Sequence, residues 1–313
     1  MKKNLIYLFC FVLIMMIGNS IAQEIKTNKV TVPLTDPSKP VKLEAGLMSG
    51  GITVLGYNGK EVIVEAKVRE KQLDKAEEST QKRAVLAETY RQRALRSTGR
   101  SVRNSERLEE KDKKKNKAKG MQKLNITSTG LTVEEENNVV EIDVETMRRA
   151  VDLTIQVPKR ASLKLDCMNN GNIKVENVEG EFEIENLNGS ITLTDVSGSV
   201  VAHTMNKDII VSILKVTPNK SMSFSTMNGD VDVTLPQNTK ATMKLKTDMG
   251  DIYSDFDMSK HKMVRKVDKE DSRPKGGKYK IKIENAMQVE LNGGGPEMQF
   301  TTFNGDIYIR KGK

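Results

Sequence analysis

From Asn170 the chain repeats itself every nine residues, and this period constrains the fold more than any other feature of the sequence. The blocks read NGNIKVENV, EGEFEIENL, NGSITLTDV, SGSVVAHTM and NKDIIVSIL. Position two is Gly171, Gly180, Gly189 and Gly198 in the first four. Position four is Ile173, Phe182, Ile191, Val200 and Ile209, and position six is Val175, Ile184, Leu193, Ala202 and Val211. Position nine is Val178, Leu187, Val196, Met205 and Leu214. Side chains alternate along a strand, so positions four and six share one face. The odd step from six to nine requires a bend that turns position nine back inward. A glycine at position two suits the next bend, where the backbone must approach a neighbour closely. Each block is therefore a strand and a corner, and two blocks make an 18-residue coil with two faces, a flattened solenoid.

One block cannot fold alone. Burying its three apolar side chains contributes about 1.5–3 kcal/mol each. Fixing nine backbones costs about 1–2 kcal/mol apiece. Stacked neighbours and their ladder hydrogen bonds must supply the difference, so the array folds cooperatively.

Beyond Leu214 the rhythm loosens. Asn206-Lys207-Asp208, Asn228-Gly229-Asp230, Met249-Gly250-Asp251 and Asn304-Gly305-Asp306 each open a strand. Met258 to Lys275 is basic and poor in apolar residues, and is expected to leave the stack as a loop before Tyr279, Ile281 and Ile283 bring the chain back. Upstream, Leu47 to Val54 reads as a first copy of the unit. Val62 to Val64, Leu124 to Thr127, Val139 to Val144 and Val151 to Val157 read as strands, closed by Pro158. The expected organisation is a β-rich N-terminal part over 23–160, capping a solenoid over 161–313.

The first residues resemble a secretory signal. Lys2 and Lys3 precede an apolar run from Leu5 to Ile17, and Ser20-Ile21-Ala22 offers a cleavage site before Gln23. No second run of membrane-spanning length follows. Cys10 leaves with such a signal and sits behind Phe9, which does not suit lipidation. Cys167 is then the one remaining thiol, so an intramolecular disulfide is excluded. It is expected to be a small buried residue ending the alternation Leu163, Leu165, Cys167. The chain has no Trp, two His and 22 Gly among 313 residues, which favours strands and tight turns over a carved pocket.

Residues 69–123 differ from everything around them. They carry 18 Lys and Arg against 9 Asp and Glu, a net +9 that equals the formal charge of the whole chain. Residues 70–97 are rich in helix formers and 98–120 are charged and almost without apolar residues, so a basic helical segment followed by a disordered one is expected. Clustered positive charge attracts anionic surfaces and is screened by salt. Lys82, Arg83, Arg91, Arg93, Arg96, Lys113, Lys114 and Lys115 are the candidate contacts for anionic envelope polymers, lipid head groups or another surface protein. Export argues against nucleic acid.

Two rows of polar residues are candidates on the solenoid. Asp208, Asp230 and Asp251 are expected to stack on adjacent coils, where a partly buried carboxylate row would attract Ca²⁺. Their spacing lacks the doubled-glycine pattern of calcium-binding nonapeptides, and turn formation is the favoured role. Asn170, Asn188, Asn206, Asn228 and Asn304 form either a sugar-facing row or, as favoured here, an amide ladder at a corner. His203 and His261 have no neighbours that complete a metal or triad pattern. No nucleophile elbow, zinc helix or phosphate loop is present, so neither a catalytic residue nor a cofactor is expected.

The array NGNIKVENVEGEFEIENLNGSITLTDVSGSV, preceded by VDLTIQVPKRASLKL, resembles the DUF4097 family over most of Ala45 to Val68 and Leu124 to Ile309. The resemblance implies a β-solenoid in the bacterial envelope and an adhesin-like label, and it supplies no catalytic residue. The combined expectation is an all-β, right-handed parallel β-solenoid with a β-rich N-terminal cap and a basic insertion. It would serve as a non-enzymatic exported scaffold in the periplasm or at the cell surface. A carbohydrate-active parallel β-helix enzyme and a purely structural or stress-related envelope component are the alternatives.

Overall fold

The computed structural model describes residues 27–69, 129–145, 149–169, 171–258, 261–273 and 278–312. Every regular element among them is a strand, apart from a single 3₁₀ position at Arg273. In chain order these are β1 (Thr27–Pro33), β2 (Val41–Leu47), β3 (Ile52–Tyr57), β4 (Glu61–Val68), β5 (Leu131–Glu136), β6 (Val139–Val144) and β7 (Val151–Pro158). There follow β8 (Ala161–Cys167), β9 (Ile173–Glu176), β10 (Glu179–Asn186), β11 (Ile191–Thr204), β12 (Ile209–Val216), β13 (Met222–Ser225) and β14 (Val231–Leu235). The last are β15 (Ala241–Met249), β16 (Ile252–Ser254), β17 (Lys262–Asp271), β18 (Tyr279–Leu291), β19 (Glu297–Asn304) and β20 (Ile307–Lys311).

Their pairings define two faces. The first runs β1-β4-β7-β3-β9-β11-β12-β14-β20-β16. The second runs β5-β6-β2-β8-β10-β11-β13-β19-β15-β18-β17. The long strand β11 belongs to both. It bends at Asp195, whose φ of 53° and neighbouring register shifts carry the chain round a corner. From β7 to β16 on one face and β6 to β15 on the other, every pairing is parallel.

The rungs do not stack in chain order. The rung β2/β3 lies between β6/β7 and β8/β9, and the C-terminal rung β19/β20 lies between β13/β14 and β15/β16. Ile52, as the sequence suggested, begins a first copy of the repeat and pairs with Ile173. The inserted C-terminal rung was not expected. Its alternation, Met298, Phe300 and then Ile307, Ile309, matches the repeat as well as any other rung, so local pattern gives no reason to place it last.

Aligned side chains make the core. On the first face Leu153, Ile52, Ile173, Ile191, Ile209, Val231 and Ile307 form one buried row. On the second, Ala45, Leu165, Ile184, Ala202, Phe224, Phe300 and Leu245 form another, with the two phenyl rings stacked at 5.1 Å between centroids. Ala202 leaves room beside Phe224, as close packing requires.

The nine-residue rhythm hides a real period of eighteen. Val178 and Val196 are buried, whereas Leu187 and Met205 are 37% and 39% exposed; one coil after Val196 a register shift puts buried Ile213 in its place and leaves Leu214 outside. Position nine therefore points inward at one corner of the coil only. The other corner uses the preceding residue instead, as described below. The expected loop near 258–275 is also corrected: Lys262–Asp271 forms β17, paired antiparallel with β18 along its whole length. Met263, Val264 and Val267 supply enough β-forming side chains for a strand that charge alone disguised. The basic insertion and the signal-like N-terminus lie outside the described residues.

Candidate functional site

The corner leading from the second face to the first holds three ladders. Innermost, from the β8/β9 rung onward, a buried or half-buried polar side chain donates to the corner carbonyl of the rung before it. Cys167 points its thiol at Gly50 O (2.9 Å), Asn186 Nδ2 donates to Gly171 O (3.1 Å) and Thr204 Oγ1 to Gly189 O (2.9 Å). Thr226, Thr302 and Thr247 repeat the bond to Lys207, Gly229 and Gly305. A buried carbonyl without a partner is costly, which explains a polar residue at a position the repeat would fill with an apolar one. The glycines allow the approach: a Cβ on Gly189 would lie 1.8 Å from Gly171 O. Cys167 is thus buried as expected, but its thiol is a donor in this row, and burial pushes its pKa up to about 11.

The second ladder is the aspartate row. Asp208 Oδ1 accepts from the backbone N–H of Asp230 (2.9 Å), Asp230 from Asp306 (2.8 Å) and Asp306 from Asp251 (2.8 Å). Asp152 and Asn172 do the same for Gly51 and Ser190. Asp230 and Asp251 are not neighbours, because the inserted rung puts Asp306 between them. These carboxylates stand in for backbone acceptors at the bend, and among the described residues no His, Cys, Asp or Glu group is arranged to hold a metal ion. The third ladder is outermost: Asn188 donates to Asn169, Asn206 to Asn188 and Asn228 to Asn206, each at 2.8–2.9 Å. The amide ladder favoured from the sequence is present. It begins at Asn169; Asn170 lies outside the described residues.

A different arrangement faces solvent on the second sheet. Charged outward side chains of β6, β2, β8 and β10 are Glu141, Asp143, Lys42, Glu44, Lys164, Asp166, Glu179, Glu181, Glu183 and Glu185. Eight carboxylates against two lysines leave a net charge of −6. The strip borders a shallow depression of about 540 Å³, whose lining includes Pro40, Ser162, Ser199, Val201 and His203. Lys42 pairs with Glu44 (2.6 Å), Lys164 with Glu183 (3.4 Å) and Lys220 with Glu181 (3.0 Å). The hydrogen bond to Lys42 lowers the Glu44 pKa. Asp166 moves the other way: partial burial, and then the negative charge of Glu185, raise its pKa. The signal for this strip lies in the sequence, as the alternation Glu179, Glu181, Glu183, Glu185 around buried Phe182 and Ile184.

On the first sheet, Tyr308 and Tyr253 stack at 5.1 Å, Arg310 grips Asp232 with two bonds of 2.7 and 2.8 Å, and Tyr308 Oη donates to Asp306 Oδ2 (2.9 Å). That bond to a carboxylate holds the Tyr308 pKa up at about 12. The candidate cations Lys82, Arg83, Arg91, Arg93, Arg96, Lys113, Lys114 and Lys115 lie outside the described residues. His203 is exposed beside the acidic strip, and His261 Nδ1 is 3.0 Å from Met258 O.

Fold and faces together define a two-sheet β-solenoid whose polar corner residues serve the stack itself and whose second face carries an acidic strip. The Toastrack DUF4097 family model matches residues 11–286, and the chain belongs to that family. Two solved structures are similar. One is a proposed cell adhesion protein from Clostridium sporogenes ATCC 15579, at 10% identity and a TM-score of 0.37, covering 92% of this chain and 100% of that one. The other is a proposed adhesin from Bacteroides fragilis NCTC 9343, at 9% identity and a TM-score of 0.31, covering 91% and 97%. Overlays this loose bear on neither mechanism nor ligand. No curated protein matches.

Proposed function

We propose that this protein is an exported, non-enzymatic envelope or surface scaffold, adhesin-like in that a rigid stack presents a binding segment to anionic polymers or lipid head groups. The observation that carries this reading is the use of the polar corner residues. The aspartates, asparagines and threonines that recur with the repeat are bound to the neighbouring rung, so they maintain a rod. The acidic strip supports this reading: its net charge of −6 repels anionic polymers, whereas the net +9 of residues 69–123 attracts them. Right-handed winding belongs to the same reading. The test is co-sedimentation of residues 23–313 with envelope fractions across a salt series, beside a form lacking 70–120. Binding that weakens with salt and vanishes with the deletion supports the proposal, and salt-resistant binding by both forms refutes it.

A second reading has a specific observation behind it. A carbohydrate-active enzyme needs one carboxyl that holds its proton next to another that has lost it. In a second, smaller hollow of about 220 Å³ on the same acidic strip, Asp166 has a raised pKa while Glu44 has a lowered one. The negative field favours neutral or amino sugars over uronic acids. Hydrolysis of such a glycan that is lost in Asp166→Asn, with the fold intact, would establish it.

A further inference from the structure

The C-terminal end of the stack is a step. On the second sheet β18 and β17 continue past β15, whereas the first sheet stops at the three-residue β16. β18 pairs with β15 only over residues 287–291, and over residues 279–286 the two arm strands pair only with each other. The side of β18 that carries Val289 and Leu291 into the core continues through Met287 to Ile281 and Tyr279. Cross-strand register places Met263 and Val267 of β17 on that same side. With no described strand of the first sheet opposite them, Met263 is 66% exposed, Ile281 47%, Tyr279 45% and Val267 43%. An unsupported two-stranded ribbon is marginal in water, and one with an apolar side is a site of association.

We propose that this end forms a two-fold dimer with a second copy of the chain. A step in which one layer overruns the other is complementary to itself when turned by 180° about an axis along the strands. The rotation exchanges the two sheets. It brings the overrunning arm of each copy under the short first sheet of its mate, with the two apolar sides face to face. Strand direction fits. β17 runs parallel to β15 and therefore opposite to β16, so a second copy's β17 meets the free edge of β16 as an antiparallel neighbour. Charge fits as well: the exposed Asp251 and Asp255 bracket β16, while Arg265 and Lys269 lie on the apolar side of the incoming β17. Asp251 also ends its row and accepts from Tyr253 Oη (3.4 Å), where Asp208, Asp230 and Asp306 each accept a backbone N–H from the next rung.

Sedimentation equilibrium of residues 23–313, which include every described residue, tests this directly. The expected result is a mass that stops at two copies. The double variant Met263→Glu/Ile281→Glu alters only exposed side chains, so it keeps its β circular dichroism, and it should weaken association on the order of a hundredfold. Val30→Glu, at the opposite end of the stack, should leave association unchanged. Hydrogen exchange offers a check that needs no variant: amides of residues 265–271 should gain protection as protein concentration rises. A monomer at every concentration overturns the proposal. So does a mass that grows without limit, or equal sensitivity to Val30→Glu, since both mean head-to-tail stacking.

Discussion

The two ends of the stack solve the same problem differently. A parallel solenoid must stop somewhere, and its last strands expose unpaired backbone and an open core. At the N-terminal end both sheets are closed by antiparallel strands, β4 and β1 on the first and β5 on the second. Of the large apolar side chains described on those three strands, Val30 alone is exposed, and β1 ends at Pro33, which cannot donate to a further strand. At the C-terminal end both antiparallel strands, β18 and β17, fall on one sheet, and among the described residues the other receives none. The consequence is an apolar side with nothing across from it among the described residues. Antiparallel strands end a parallel stack cleanly only when both sheets receive them.

The largest test of this contrast is made in the middle. Ile191→Asp places a charge in the fully buried row shared by all rungs and should cost more than about 4 kcal/mol, unfolding both ends in one transition. Two separate thermal transitions would mean that the ends do not share a core. Next come the corner donors. Thr302→Val removes the partner of Gly229 O and should cost about 1–3 kcal/mol in denaturant melts. Cys167→Ala, toward the N-terminal end, removes a weaker thiol donor and should cost less. The opposite order would show that the corner ladder matters least where the stack is less well closed. Because burial holds the Cys167 thiol near pKa 11, only about one molecule in a thousand is thiolate at pH 8, and alkylation should require unfolding. Rapid labelling of the native protein would contradict the buried placement.

The smallest effect is expected at Asp166. Its raised pKa means that the folded chain holds this proton more tightly than the unfolded one. Stability from this group is therefore greatest when it is protonated and falls as pH rises through the carboxylate range. Asp166→Asn should gain a few tenths of a kcal/mol at neutral pH, after allowance for solvent screening, and nothing in acid. A loss at neutral pH would show that the carboxylate has a partner holding it charged.

Most of the rung architecture could be read from the sequence. The inward residues at positions four and six, the strands Val139–Val144 and Val151–Pro158, and the corner glycines all follow from alternation and close approach. Other features could not be read that way. The polar residues at Asn186, Thr204 and Thr302 look like ordinary strand residues until a carbonyl is seen beneath them. The outward glutamates 181, 183 and 185 look like solvated charge until Glu44, Glu141, Asp143 and Asp166, more than a hundred positions apart at the extremes, line up beside them.

The sequence by itself determined the local unit: a strand of alternating burial, a tight corner and a period that no isolated block can satisfy. Tertiary structure decided which rung lies against which. A parallel ladder accepts any strand with matching alternation, so local pattern cannot say that β2/β3 and β19/β20 slip between rungs distant in the chain. Nor can it say that both late antiparallel strands fall on one sheet. Those choices depend on which side chains fit across a shared core. They set the order of the aspartate row, the extent of the acidic strip and the step at the C-terminal end.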